Sequence, residues 1–228
     1  MPRPKRICIP GLPHHVVQRG NNKNPTFYHG DDYTAYLEFL NEAVTQHEVS
    51  VHAYVLMTNH VNLLVTPASP DGLSLMMQSI GRRYVSYINK TYHRTGTLWQ
   101  GRFSSSVVDS EIYCLTCYRY IELNPIRANL VVKPADYRWS SYRSNGAGET
   151  DCLVTPHPVY QALGRSQSER IACYRDLVAQ RLSTETVARI RYGARKGLPV
   201  GNHKFVASIE NHIGKRLGTG RVGRPKEN

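Results

Sequence analysis

The stretch Val51-His-Ala-Tyr-Val-Leu-Met-Thr-Asn-His-Val-Asn-Leu-Leu-Val65 decides the fold. Two apolar, β-branched runs, 51–57 and 60–65, flank a short Thr-Asn turn and read as two strands side by side. In the first, alternation puts Val51, Ala53, Val55 and Met57 on one face. In the second, Val61, Leu63 and Val65 share one face, and His60 and Asn62 share the other. Upstream, His14-His-Val-Val-Gln-Arg-Gly20 is a strand closed by glycine. Asp31-Asp32 then places acids at the positive end of a helix, and Tyr33, Leu37, Leu40 and Val44 continue it.

Downstream, Leu73, Met76, Ile80, Tyr84, Ile88 and Tyr92 keep the period of a helix of about five turns. Its other side carries Arg82, Arg83 and Lys90. Ser104–Asp109 is a further strand, and the run from Glu111 a further helix. The order is therefore β-α-β-β-α-β-α, with one pair of strands adjacent. That pattern implies an α+β, ferredoxin-like domain with an antiparallel sheet and helices on one face. Beyond Pro134 the chain turns polar and aromatic. Ser166-Gln-Ser-Glu169 is a capping box, and two basic helices, about 184–196 and 202–213, follow. The expected division is a domain over 1–145, a basic helical extension over 146–213, and a basic disordered tail over 214–228.

Charge is unevenly spread. Of 29 Lys/Arg and 17 Asp/Glu, residues 1–30 hold five and none, and residues 186–228 hold ten and two. The middle thus carries 14 and 15, and the net +12 resides in the two ends. Cationic ends of this kind fit a phosphate backbone, where each neutralised phosphate releases counterions. No apolar run approaches a membrane span and the start lacks a signal-like apolar region, so the expected location is the cytoplasm. Five scattered cysteines argue against a disulfide framework. Cys114 and Cys117 lack a second ligand pair, so they read as small helix residues.

The helix from Glu111 ends in Arg119-Tyr-Ile-Glu-Leu-Asn-Pro-Ile-Arg-Ala128, and Pro125 should stop it. Tyr120 and Asn124, four apart, share a face near its end. A phenol and a carboxamide so placed suit a nucleophile beside a metal ligand or a phosphate contact; the helix taken alone favours the plainer reading, a packing Tyr and a capping Asn. His60 and Asn62 divide the same way. They form a two-tooth comb whose amide suits only hard ions such as Mg²⁺ or Mn²⁺, or they are ordinary hydrogen-bonding residues at a sheet edge.

Five motifs in one order carry a resemblance. Met57-Thr-Asn-His-Val-Asn-Leu-Leu-Val65 resembles the metal-binding strand of the single-tyrosine HUH transposases, and Tyr120-Ile-Glu-Leu-Asn124-Pro-Ile-Arg-Ala128 their nucleophile helix. His14–Asn22, Trp99-Gln-Gly-Arg-Phe103 and Trp139-Ser-Ser-Tyr142 resemble the branch associated with repetitive extragenic palindromes (REP elements). The resemblance implies a metal-dependent enzyme that cleaves and rejoins single-stranded DNA beside a palindromic hairpin through a 5′-phosphotyrosine. By position it makes Tyr120 the nucleophile, and His60, Asn62 and Asn124 ligands of Mg²⁺ or Mn²⁺. Asn62 stands where the family has a second histidine; His15 on the neighbouring strand is a possible helper. A hairpin-binding protein without catalysis is the alternative reading.

The candidate DNA contacts are Arg3, Arg6, Arg19, Arg82, Arg83, Trp99, Arg102 and Arg127. Trp99 and Tyr142 either stack on bases or belong to the core. Gly223-Arg-Pro-Lys226 in the tail is similar to a minor-groove reader or is a plain phosphate contact. A monomer with no small-molecule cofactor and no membrane partner is expected.

Overall fold

In the computed structural model, residues 6–217 are described. Strands β1 (His14–Arg19), β2 (Val49–Met57), β3 (His60–Pro67) and β4 (Ser104–Val107) form one sheet in the order β2-β3-β1-β4. Every neighbouring pair is antiparallel. Helices α1 (Gly30–Gln46) and α2 (Gly72–Thr91) are the two crossovers. This is the α+β, ferredoxin-like arrangement that the alternation of elements implies. Asp32 fixes the start of α1 by accepting from the backbone N–H groups of Tyr28 and His29, which closes a capping box.

The crossover helices pack on one face, where Tyr36, Leu40, Met76, Ile80, Tyr84 and Ile88 meet Val16, Leu56, Val61, Leu63 and Val65. One expectation fails here. Val51 does not share a face with Ala53, Val55 and Met57, because the β2–β3 register shifts between Val51 and Ala53. The bulge turns Val51 toward α1 and α2, while Ala53, Val55 and Met57 face the opposite side. A bulge breaks the period-2 rule locally, and alternation alone cannot see it.

The opposite face is also covered. Helix α3 (Cys114–Glu122) lies on it, with buried Cys114, Cys117, Tyr118 and Ile121 against Val55 and Leu64. The two cysteines are free thiols in this core. Pro125 ends α3 less sharply than expected. The chain pivots at Leu123 into α4 (Asn124–Arg127), whose first turn holds the proline, where no backbone N–H is needed. Then follow α5 (Tyr142–Ala147), α6 (Pro158–Gln161), α7 (Gln167–Ala179), α8 (Thr184–Lys196) and α9 (His203–Ile213). The capping box at Ser166 and Glu169 forms.

These helices share the α3 core. Glu122, fully buried, accepts from Ser141 (2.5 Å), Asn145 (2.8 Å) and Tyr174 (2.5 Å), which draws α3, α5 and α7 onto one carboxylate. Tyr142 packs in this cluster beside Tyr174, so its ring is core and not a base platform. No helix among the described residues is long and apolar enough to cross a membrane. Arg3, Gly223–Lys226 and most of the tail lie outside the described residues.

Candidate active site

The pleat of β3 and the face of α3 bring the two sequence motifs together. His60 and Asn62 on β3, His15, Val17 and Arg19 on β1, and Tyr120, Asn124 and Arg127 from α3 and α4 line one cleft of about 640 Å³. Residues 15, 17 and 19 reach it because β1 pairs with β3 in a register that sets Val17 opposite Asn62 and Arg19 opposite His60.

Tyr120 is 6% exposed, at the floor of the cleft. The His15 ring meets its ring edge-on, with centroids 5.5 Å apart. On another side the Arg127 guanidinium sits 4.4 Å from the ring centroid and donates to the Tyr120 backbone carbonyl and to Asn124 Oδ1. Burial pulls the Arg127 pKa down to about 10, with nearby Arg191 adding to the effect, so the group stays charged at neutral pH. The phenol therefore has a cation over its face.

Both histidines are held neutral. Burial lowers His15 to about 4, partly offset by its bond to Asn62 and reinforced by Arg127. Burial likewise lowers His60 to about 4, with Arg19 and Arg191 adding repulsion. His60 donates Nδ1–H to Asn59 Oδ1 at 2.7 Å, which leaves Nε2 with the lone pair.

The expected metal ligands can be tested by their donor atoms. Asn62 Oδ1 accepts from His15 Nε2 at 3.0 Å, and Asn124 Oδ1 accepts from Arg127 at 2.9 Å. What each amide has left is a buried, unpartnered Nδ2. Among the described residues no three His, Cys, Asp or Glu side chains converge to hold an ion. The charges lining the cleft are the guanidiniums of Arg19, Arg102, Arg127, Arg191 and Arg195. A hard divalent cation takes oxygen donors and favours carboxylates, so this arrangement does not fit one. His15, the possible helper, gives its Nε2–H to Asn62 and keeps a buried, unpartnered Nδ1.

The candidate DNA contacts divide. Arg19, Arg102 and Arg127 line the cleft. Arg6 lies beyond it, stacked 3.8 Å over the Phe103 ring and bonded to the Phe103 carbonyl. Arg82 and Arg83 belong to α2, which packs on the other face of the sheet. Arg83 pairs with Glu42 at 2.7 Å and covers Phe39. Trp99 is core: it is 6% exposed and packs against Tyr36 and Tyr84.

Two functional candidates were not singled out in the sequence. Arg191 and Arg195 of α8 form part of the cleft wall. Their spacing of four on a helix named as basic was the available signal, but no local pattern tells which helix faces the Tyr120 motif.

Residues 8–124, just over half of the chain, match the family described as "Transposase IS200 like". Among solved structures, a REP-associated tyrosine transposase bound to a REP hairpin superimposes with a TM-score of 0.56 at 17% identity, covering 70% of this chain and 93% of that one. A candidate transposase from Deinococcus radiodurans R1 gives 0.38 at 18% identity, covering 57% and 99%. The first likeness speaks for the fold; the second is too loose to carry an argument. No curated protein matches.

Proposed function

The chain belongs to the IS200-like transposase family, and from that premise we propose that it cleaves and rejoins single-stranded DNA at palindromic, REP-like hairpins, with Tyr120 as nucleophile. The observation that carries this reading is the tyrosine itself, set at the floor of an Arg-lined cleft under the Arg127 guanidinium. A DNA phosphate is the anion such a cleft suits, and a cation at that point stabilises the charge that builds on the phosphoryl oxygens.

In the reaction the Tyr120 oxygen bonds to phosphorus and the P–O3′ bond breaks. The products are a 5′-phosphotyrosine and a 3′-hydroxyl that ends with the phenolic proton. His60, neutral and with Nε2 unprotonated, and His15, neutral with an unpartnered Nδ1, are the bases in the cleft that can carry that proton. One phosphodiester replaces another, so the 3′-hydroxyl can attack in return and rejoin strands. The divalent ion expected beside Tyr120 has no place in these steps, since the donor atoms do not fit it.

A second reading, hairpin binding without cleavage, is favoured by one observation: Asn62 occupies a ligand position with its oxygen turned to His15. One assay separates the two. The protein is incubated with a labelled hairpin oligonucleotide, and covalent adduct is scored on a denaturing gel. Tyr120→Phe should bind the hairpin as before and form no adduct. An adduct that survives in Tyr120→Phe moves the nucleophile elsewhere. No adduct from the unaltered protein leaves the binding reading.

A further inference from the structure

Helix α3 carries Tyr120 but is not fixed by its own bonds. It has nine residues and no side chain caps its first turn. A helix of that length is held in place by what it packs against. Its residues Cys114, Cys117, Tyr118 and Ile121 bury against the sheet. Apolar contact is non-directional, so it sets the rotation of the helix about its axis only loosely. Tyr120 must nevertheless meet His15 and His60, which come from β1 and β3.

Glu122 supplies the missing direction. Successive residues are about 100° apart around a helix, so Glu122 lies about 160° from Tyr120 and points away from the cleft. Its Oε1 accepts from Ser141 and Asn145, and its Oε2 from the Tyr174 hydroxyl. Ser141 and Asn145 are themselves tied to β2. The Tyr54 N–H donates to Ser141 Oγ at 2.9 Å, the Ser141 N–H to the Tyr54 carbonyl at 3.0 Å, and Asn145 Nδ2 to the His52 carbonyl at 3.1 Å. The bonds thus run from the last turn of α3 into β2, which pairs with the β3 strand of His60. Two further ties of α3, from the His157 N–H to Tyr118 and from Arg119 to the Gln180 carbonyl, reach segments outside the sheet. Taking a carboxyl out of water is costly, and an apolar side chain of like volume would serve stability as well or better. What the carboxylate adds is directional bonding.

We propose that Glu122 is the positioning residue for Tyr120: it fixes the rotation of the last turn of α3 against β2 and so holds the phenol in line with the histidines of the sheet. The proposal rests on the function proposed above. Its two oxygens are gripped from different sides, by Ser141 and Asn145 at α5 and by Tyr174 of α7, so the carboxylate cannot swing. A rotation of the last turn moves the Tyr120 oxygen, far out from the helix axis, more than it moves the backbone. A displacement of about 1 Å at a reacting atom is enough to cost about 10² in rate.

The test compares Glu122→Met, which keeps the length of the side chain and removes all three bonds, with Glu122→Gln. The Gln oxygen still accepts from Ser141 and Asn145, and its N–H reaches the Tyr174 hydroxyl. Hairpin affinity is read by anisotropy, and the rate of adduct formation at saturating hairpin. Glu122→Met should bind within about twofold of the unaltered protein and form adduct about a hundredfold more slowly. Glu122→Gln should recover most of that rate. Tyr174→Phe, which removes one bond and keeps the ring, should slow the adduct about tenfold, and it carries the test if the Met variant does not fold. Position is read directly by fluorine NMR of protein made with fluorotyrosine, the Tyr120 signal being assigned by its loss in Tyr120→Phe. That signal should move in Glu122→Met and Tyr174→Phe and stay in place in Glu122→Gln. A Met variant, or failing that a Phe variant, that reacts at the unaltered rate overturns the proposal. So does affinity that falls in step with the rate, or a Gln variant as slow as the Met, since fold damage or lost charge would then explain the loss. If the unaltered protein forms no adduct, the function reading falls instead, and the fluorine signal still decides: a Tyr120 signal unmoved in Glu122→Met and Tyr174→Phe overturns the positioning role.

Discussion

Glu122 offers a sharp measurement, because it follows Tyr120 by two residues and gathers three elements. Its carboxyl is fully buried, and burial outweighs the bonds from Ser141, Tyr174 and Asn145, so its pKa rises from 4.5 to about 7. A raised carboxyl pKa in the folded chain means that folding favours the protonated form. The stabilisation from this proton is complete below about 4.5 and is lost as pH rises through about 7. One pH unit of displacement is worth about 1.4 kcal/mol, so the loss approaches about 3 kcal/mol. In a chain of this size that is a fall in Tm of about 6–12 °C. Glu122→Gln removes the ionisation and keeps the shape. Its Tm should match the unaltered protein near pH 4.5 and exceed it increasingly up to about pH 8, where the gap levels off. The assay is thermal unfolding of both proteins across that range. Parallel curves would refute the reasoning, and would mean that the three donors keep Glu122 ionised in the core.

Three other outcomes follow from the site. Arg127→Gln should retain most hairpin affinity but slow adduct formation by about 10²–10³, the usual loss when one charge-stabilising group is removed; an unchanged rate would take the guanidinium out of the reaction. Asn62→His sets a second imidazole beside His60, so Mn²⁺ uptake followed by electron paramagnetic resonance should appear in the variant and be absent from the unaltered protein. Stoichiometric uptake by the unaltered protein, lost in His60→Ala, would mean the amide oxygens turn to ligate after all. Trp99→Ala should cost about 3–5 kcal/mol in urea unfolding, as a core aromatic does; lost DNA affinity at unchanged stability would return the indole to the interface.

The sequence by itself determined the order of elements, the α8 and α9 limits, the box at Ser166 and Glu169, and the pairing of His60 with Asn62 on one strand face. All of these are local: they depend on side-chain period and caps within a few residues, and proximity along the chain guarantees them. Tyr120 and Asn124 were paired by the same local rule, although the Leu123 pivot places them on two helices and leaves only their common cleft intact. What the tertiary structure decided is everything that requires two distant segments to meet. The bulge after Val51 reversed a face, Trp99 and Tyr142 went into the core, and Arg83 found Glu42 across two helices. His15 and Arg127 claimed the amide oxygens that a metal would need. Arg191 and Arg195 reached the Tyr120 cleft from about seventy residues away, because Val200 pairs with the edge of β4. Such meetings are set by which apolar faces bury together and which backbone groups find partners, and neither is written in the period of any one segment.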